Sequence, residues 1–223
     1  MSNRGFVIVE PIAWYCWVGC FMWIMNYYYK MALWTKDTYD MATLLKMWEF
    51  NWEDNFNINS FNIWYFLARL NFRITYFGQA VGWNEEFAKD PKKYFKDRNI
   101  AYVSTLSIED LKNVYQKMIK EENISFVENP NFDLFELIKH KQHRSTLFLL
   151  GGDYYILRRE ERPKDAAHSG HYVVCSGIRD GKFVIHDPGP DIKMEYLVDK
   201  DTLYKAIKYY WEKEITCMMI EYV

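Results

Sequence analysis

The stretch GHYVVCSGIRDGKFVIHDP, residues 170–188, contains the strongest local structural signal in the chain. Two runs rich in β-branched and aromatic residues, 171–178 and 182–186, lie on either side of an Arg-Asp-Gly tripeptide. This arrangement is typical of a β-hairpin. A three-residue loop with Gly181 in the left-handed conformation would pair Ile178 with Lys182.

The register of this hairpin decides whether its His and Asp side chains can meet. With the three-residue loop, Asp187 lies opposite Val173 and on the same face as His171. Diagonal neighbours of this kind are roughly 7–8 Å apart at the backbone, within reach of long side chains. A two-residue turn would pair Asp187 with Val174 and place it on the wrong face, unless a bulge compensates. We therefore predict His171 as a catalytic imidazole and Asp187 as the acceptor that orients it.

Cys16 is the candidate nucleophile. Pro11 ends any extended segment before it, and an apolar helix is predicted to begin near residues 14–17. The positive end of a helix dipole favours a thiolate over a thiol, and the thiolate is the form that attacks. The alternative is that Cys16 is a small buried apolar residue, as most free cysteines are.

The segment 170–188 closely resembles the His and Asp segment of C39-type, papain-like cysteine peptidases. Those proteins pair a strand-leading His with an Asp in an Asp-Pro dipeptide at this separation. Their nucleophile lies near the N-terminus in a D-C-G-P-A-C-L-A-M type segment, and residues 16–22, CWVGCFM, resemble it, with Cys20 as the second cysteine. The resemblance implies a Cys16–His171–Asp187 triad. It extends over most of the chain, although only the His and Asp segment is specific.

The sequence departs from the family pattern beside the nucleophile. Trp17-Val18 replaces the family's Gly-Pro, which changes the wall next to the thiol. Glu10 stands six residues before Cys16, where the family has a Gln that donates to the oxyanion. An ionised Glu10 would repel a developing oxyanion, whereas a neutral one could donate to it. The Cys16 backbone N–H and the Gln79 side chain are the other candidate donors.

Composition limits the function classes. The chain has 223 residues, half of them apolar, and a formal net charge of −2, so we expect one domain spanning 1–223 and no nucleic-acid partner. Its four cysteines are too few for a disulfide scaffold, and a cytoplasmic location is expected. The uncharged segment 11–29 approaches the length of a membrane span, but its aromatic and polar content favours a buried helix.

The predicted elements are mainly helical in the first 120 residues and mainly strands in the last 80. Helices are expected at about 16–33, 38–50, 60–71, after Ser107, at 134–139 and at 201–212. Strands are expected at 146–150, 154–157, 171–178, 182–186 and 216–222. This order predicts an α+β, papain-like fold with a helical N-terminal half packed on a C-terminal antiparallel β-sheet.

The expected reaction is acyl transfer through an acyl-cysteine, without a cofactor or metal. The acyl donor would be a thioester, free or bound to a carrier protein, or a peptide, and the acceptor an amine or water. The 18 Tyr, 15 Phe and 9 Trp could line an apolar acyl pocket, and stand-alone relatives of this fold act as acyltransferases or amide synthetases in small-molecule biosynthesis. Amide formation is therefore favoured over a cysteine peptidase or amidase. An inactive binding module and a metal site at Cys16, Cys20 and His171 are the alternatives.

Overall fold

The computed structural model describes residues 16–29, 67–68, 72–79, 85–97, 108–164, 170–187, 193–210 and 215–223. Within these ranges the helices and strands follow one another in this order: α1 (Cys16–Tyr29), β1 (Phe72–Gly78), α2 (Glu85–Lys89), α3 (Pro91–Asp97), α4 (Ile108–Met118), β2 (Ile124–Glu128), α5 (Leu134–Lys141), β3 (Thr146–Asp153), α6 (Tyr154–Arg158), β4 (Gly170–Arg179), β5 (Lys182–Asp187), β6 (Lys193–Val198), α7 (Lys200–Tyr210) and β7 (Thr216–Tyr222).

The strands form a seven-stranded sheet with the order β2-β1-β7-β3-β4-β5-β6. Every neighbouring pair is antiparallel except β1 and β2, which are parallel. The fold is therefore mixed α/β. The edge strands are β6, which pairs with β5 of the β4–β5 hairpin, and β2 at the opposite edge.

Side chains of the central strands alternate between two apolar cores. On β3, Leu147 and Leu149 belong to one core, while Phe148 and Leu150 belong to the other. Successive residues of a strand point to opposite faces, so the two cores lie on opposite faces of the sheet. The first core includes residues of α1 and the second includes residues of α5, α6 and α7. Among the described residues, no helix has the length and apolarity needed to cross a membrane.

The expected division into a helical N-terminal half and an antiparallel C-terminal sheet is only partly correct. The strand β1 lies in the N-terminal half, β2 lies near the middle of the chain, and the two are parallel. Of the predicted helix 60–71 only Leu67 and Ala68 are described, and both are helical; the predicted helix 38–50 lies outside the described residues. β1 and β2, in which Ile74 pairs with Ile124 fifty residues away, are not among the predicted strands, although residues 72–77, FRITYF, are rich in β-branched and aromatic residues.

The predicted strand 154–157 is wrong, because these residues form the helix α6. β3 continues through Gly151 and Gly152 to Asp153, which is the residue before the helix. The Asp153 side chain accepts a hydrogen bond from the Ile156 backbone N–H at 3.1 Å, as an N-cap residue does. A polar cap thus outweighs the β-propensity of two tyrosines and an isoleucine.

The β4–β5 hairpin has a two-residue turn, so the predicted three-residue loop is wrong. Asp180 and Gly181 both have positive φ, 52° and 70°, and Arg179 pairs with Lys182. Such a turn matches the twist of the flanking strands. An uninterrupted ladder from this turn would place Asp187 opposite Val174.

A β-bulge restores the expected position of Asp187. Gly177 pairs with Val184 and Cys175 pairs with Ile185, so Ser176 is an extra residue on β4. Val174 consequently pairs with His186, and continuation of this register places Asp187 opposite Val173. The backbone of Gly177 has φ +151°, and a Cβ there would lie 2.8 Å from Oε1 of Gln142. That oxygen accepts a hydrogen bond from the Ile178 N–H at 2.7 Å, which holds the bulge.

Candidate active site

Three chain segments bring the predicted catalytic residues to one end of the sheet. His171 is the second residue of β4, Asp187 is the last residue of β5, and the two strands are antiparallel, so both residues lie at the same end. Cys16 is the first residue of α1, which packs on β4. The thiol, the imidazole and the carboxylate therefore meet where α1 begins.

His171 and Asp187 form a buried hydrogen-bonded pair. Nε2 of His171 lies 2.6 Å from Oδ1 of Asp187, and the two residues are 4% and 2% exposed. An ionised carboxylate accepts hydrogen bonds only, so Nε2 carries a proton and donates it. This contact fixes the ring orientation and leaves Nδ1 to face away from Asp187.

The Cys16 thiol contacts both the imidazole and the backbone of β4. Its Sγ accepts a hydrogen bond from the Tyr172 N–H at 3.3 Å, next to His171 in the chain. The sulfur is also among the groups that raise the pKa of the His171 imidazole. Since Nε2 is taken by Asp187, Nδ1 is the nitrogen left for the sulfur. The arrangement is a thiol next to an imidazole that is itself held by a carboxylate, the order of groups that nucleophilic catalysis by a cysteine requires.

The other three cysteines are unsuited to nucleophilic attack. Cys20, Cys175 and Cys217 are buried, whereas Cys16 is half-buried. Burial raises the pKa of the Cys20 thiol well above its usual value, and the nearby negative charges of Cys16 and Asp187 raise it further. Burial also raises the pKa of Cys175 to about 12 and that of Cys217 above its ordinary range. These three residues are thiols at neutral pH.

The charges around His171 stabilise its protonated form. Burial lowers the pKa of the imidazole, but hydrogen bonds to Asp187 and Cys16, together with their negative charges, outweigh burial and raise it to about 9. At neutral pH the ring is therefore an imidazolium between a carboxylate and the sulfur. An imidazolium next to a sulfur stabilises its thiolate form.

Contacts farther along α1 hold Cys16 in place. Trp23, two turns into the helix, stacks on His186 of β5 with ring centroids 4.1 Å apart. Nε2 of His186 lies 2.9 Å from Oγ of Ser176, the bulge residue. The Tyr28 hydroxyl donates to the Ile220 carbonyl at 3.2 Å.

His186 and Asp187 are adjacent on β5 and therefore point to opposite faces of the sheet. His186 faces α1, the helix that carries the thiol, and Asp187 faces the opposite side.

Sequence reasoning missed the residues behind Asp187. The Arg158 guanidinium is wholly buried, and its Nε lies 3.3 Å from Oδ2 of Asp187. The Tyr196 hydroxyl lies 3.5 Å from the same oxygen. The Tyr154 ring contacts the His171 ring edge-on, with centroids 5.2 Å apart. The residues Tyr154-Tyr155-Ile156-Leu157-Arg158 resemble a strand followed by a surface Arg, so the sequence contains no signal for this cluster.

The predicted oxyanion and substrate residues have different outcomes. Glu10 lies outside the described residues, as does the side chain of Trp17, whose backbone is part of α1. Gln79 does not reach the thiol. Its Nε2 donates to the Phe132 carbonyl at 3.3 Å, and its Oε1 accepts from the Ile215 N–H at 3.1 Å. It follows β1, three strands from β4 and roughly 14 Å away at about 4.8 Å per strand.

The alternative metal site has no geometric counterpart. Within the ranges the structure describes, no three His, Cys, Asp or Glu side chains converge to hold a metal ion. Cys20, one of the three proposed ligands, lies buried in the apolar core beneath α1.

Similarity to known proteins is slight. No family model and no curated protein sequence matches the chain. A solved structure that resembles it is a protein from Bacillus anthracis described as a C39-like peptidase. The two share 11% sequence identity, and the match covers 38% of this chain and 46% of the other, with a TM-score of 0.28. This similarity spans less than half of either protein and assigns neither a family nor an activity to the chain.

Proposed function

We propose that the protein is a thiol enzyme that transfers acyl groups through an acyl-cysteine at Cys16. The observation that carries the proposal is the row formed by the Cys16 thiol, the His171 imidazole and the Asp187 carboxylate, with 2.6 Å between Nε2 of His171 and Oδ1 of Asp187. The half-buried thiol is the accessible member of the row, while the His and Asp are shielded from water.

In the first step the proton of Cys16 resides on His171 and the thiolate attacks a carbonyl carbon. The tetrahedral intermediate collapses, the bond to the leaving group breaks, and His171 returns the proton to that group. Asp187 accepts a hydrogen bond from the ring throughout and keeps Nδ1 directed at the sulfur. The product of this half-reaction is a thioester at Cys16.

In the second step an acceptor with a lone pair attacks the thioester. His171 takes the proton of the acceptor, the C–S bond breaks, and the thiol is regenerated. Water as acceptor gives hydrolysis and a peptidase or amidase, while an amine gives a new amide. The aromatic-rich composition favours the amine, because an apolar acyl pocket limits the access of water to the thioester.

The test is the capture of the acyl-enzyme. Wild type, Cys16→Ala and His171→Ala are each incubated with short and long acyl thioesters of N-acetylcysteamine and with a peptide amide, and the intact mass is recorded. We expect an acyl adduct on Cys16 of the wild type, none in Cys16→Ala, and acylation slowed roughly 100-fold or more in His171→Ala. Addition of a primary amine should then release an amide in preference to the free acid.

A parallel measurement tests the thiol without a substrate. A brief iodoacetamide pulse at pH 6, compared with glutathione, reports whether Cys16 is a thiolate where an ordinary thiol is protonated. Labelling of Cys16 no faster than glutathione, and unchanged in His171→Ala, would refute the proposal and leave an inactive binding module on this fold. Release of only free acid would retain the thiol enzyme and replace the amine acceptor by water.

A further inference from the structure

We propose that Arg158 is a positioning residue for the thiol site, and that its charge sets the pH range in which Cys16 reacts. The inference rests on the proposed function, because it concerns the same thiol, imidazole and carboxylate. It adds a fourth charged member to the row, on the far side of Asp187 from His171.

The carboxylate of Asp187 is held from both sides. Its Oδ1 accepts from Nε2 of His171 at 2.6 Å, and its Oδ2 lies 3.3 Å from Nε of Arg158. Both the Arg158 and Asp187 side chains are completely shielded from water. A buried guanidinium next to one oxygen keeps the other oxygen directed at the imidazole, because rotation of the carboxylate would break both contacts.

Tyr154 links the guanidinium to the imidazole a second time. The Arg158 guanidinium donates from Nη1 to the Tyr154 hydroxyl at 2.6 Å, one turn earlier on α6. The ring of the same tyrosine contacts the His171 ring at a centroid distance of 5.2 Å and an interplanar angle of 81°. The helix α6 therefore contacts the His–Asp pair through two side chains four residues apart.

The charges of this cluster alternate. Cys20 of α1 and Tyr196 of β6 are neutral, because burial raises the pKa of both groups. Among the described residues, the groups that remain form a row of thiol, imidazolium, carboxylate and guanidinium, and a partly exposed carboxylate lies 3.7 Å from the guanidinium: Cys16, His171, Asp187, Arg158 and Glu160.

The signs of this row fix the expected effect of each change. Removal of the Arg158 charge leaves the row more negative, so each acid in it holds its proton more tightly and the Cys16 thiolate forms at higher pH. Removal of the Glu160 charge has the opposite effect. If Arg158 and Asp187 formed a purely structural ion pair, its loss would alter the free energy of unfolding. It would leave the pH dependence of Cys16 labelling unchanged.

The experiment is a pH series of the iodoacetamide pulse, from pH 4 to 10, with Cys16 alkylation read by peptide mass spectrometry. The full-length variants are Arg158→Met, Arg158→Lys, Glu160→Gln and, as a matched surface control, Glu161→Gln. We expect Arg158→Met to move the rise in labelling up by about one pH unit, which is about tenfold slower labelling on the acid side. Arg158→Lys keeps the charge, so its pH profile should stay close to that of wild type. Glu160→Gln should move the rise down by a few tenths of a unit, and Glu161→Gln should not move it.

Each outcome bears on one proposal. A folded Arg158→Met protein with the wild-type pH profile overturns the role of Arg158. Where Arg158→Met does not fold, identical profiles for Glu160→Gln and Glu161→Gln overturn it. In either case the proposed function survives as long as labelling of the wild type depends on His171. Labelling of the wild type that is independent of His171 overturns the proposed function and this inference together.

Discussion

The two halves of the sheet are built in different ways. In the half that ends with the edge strand β6, here called the site edge, β4 and β5 form a local hairpin, and residues close in sequence supply the interacting groups His171 and Asp187, sixteen residues apart. At the far edge, β1 and β2 are parallel and pair residues fifty positions apart. The site edge contains buried charges, whereas the buried polar residue described on β1 and β2 is Thr75.

This difference shows where sequence analysis is informative. A hairpin is specified by a turn and two adjacent alternating runs, so its strands and its reactive residues can be predicted locally. A parallel pair needs a long connection, so its pairing joins segments that are far apart in the sequence. Changes at the site edge should therefore affect reactivity, and changes at the far edge should affect only stability.

The largest effect is expected from removal of the carboxylate at the site edge. Asp187→Ala leaves the His171 ring without its acceptor and next to the uncompensated Arg158 charge, so the buried ring loses its proton. The thiolate then loses the positive charge beside it, and this loss outweighs the direct effect of removing one negative charge from the row. Cys16 labelling at pH 6 should fall at least about tenfold, since one pKa unit corresponds to a tenfold change in the ionised fraction. Glu128→Ala on β2 is the matched control, an exposed acid that accepts from the Tyr94 hydroxyl. Equal rates in both variants would contradict the distinction between the edges.

A pair of single-residue deletions sharpens the argument about register. Deletion of His186 moves Asp187 by one position, so its carboxylate faces α1 instead of His171, and labelling should fall as far as in Asp187→Ala. Deletion of Ser176 removes the extra bulge residue and leaves Asp187 opposite Val173. We expect the second variant to keep labelling within about threefold of wild type. Asp187 stays on the face of His171 in this variant, so the pH at which Cys16 labelling rises should move by much less than the one unit that corresponds to a tenfold change in rate. Circular dichroism checks that both variants fold, and loss of labelling in both would show that the bulge itself aims the carboxylate.

The free energy of unfolding should depend on pH through the His171 ion pair at the site edge. The pKa of His171 is about 9 in the folded protein, above its ordinary value near 6.5. A raised pKa means that the folded state binds the proton more tightly, so this stabilisation is complete below pH 6.5 and is lost as the pH rises through 9. Urea unfolding at pH 6 and pH 9.5 should show a loss of about 1–3 kcal/mol attributable to this group. The loss should be smaller in His171→Gln, and a wild-type free energy of unfolding that does not fall would contradict the ion pair.

The smallest effect is expected at the far edge. Thr75 on β1 accepts a hydrogen bond from the Ser125 hydroxyl of β2 at 3.1 Å. Thr75→Val keeps the shape and removes this bond, which should lower the free energy of unfolding by about 1 kcal/mol. Cys16 labelling should equal that of wild type at each pH. A change in labelling larger than the experimental error would show that the far edge is coupled to the thiol.

The sequence predicted the elements whose signals are local. The helix after Ser107, the hairpin strands and the last strand, Thr216–Tyr222, all occur close to their predicted positions. The helix that begins at Cys16 also occurs, and its first residue is the predicted nucleophile. These elements combine a clear period with a recognisable start or turn. The prediction of the three side chains at the thiol site depended on them.

The sequence could not predict the features that depend on contacts between distant segments. The pairing of β1 with β2 and with β7 joins segments that are far apart in the sequence. The contact of Arg158 with Asp187 joins α6 to β5, twenty-nine residues later in the chain. Gln79 was placed at the site by loop composition alone, and its amide is bound to the backbone near Phe132 and Ile215 instead.

Neighbouring residues encode the helix that begins at Cys16 and the two strands that carry His171 and Asp187, so these elements could be predicted locally. The predicted face of Asp187 is correct, but the turn from which it was inferred is not. The two-residue turn would direct Asp187 away from His171, and the bulge at Ser176 restores its direction. Gln142, the residue after α5, holds that bulge through the Ile178 N–H. Because a strand has a period of two, one extra residue moves a side chain to the opposite face, and here a contact with a distant segment holds the extra residue in place.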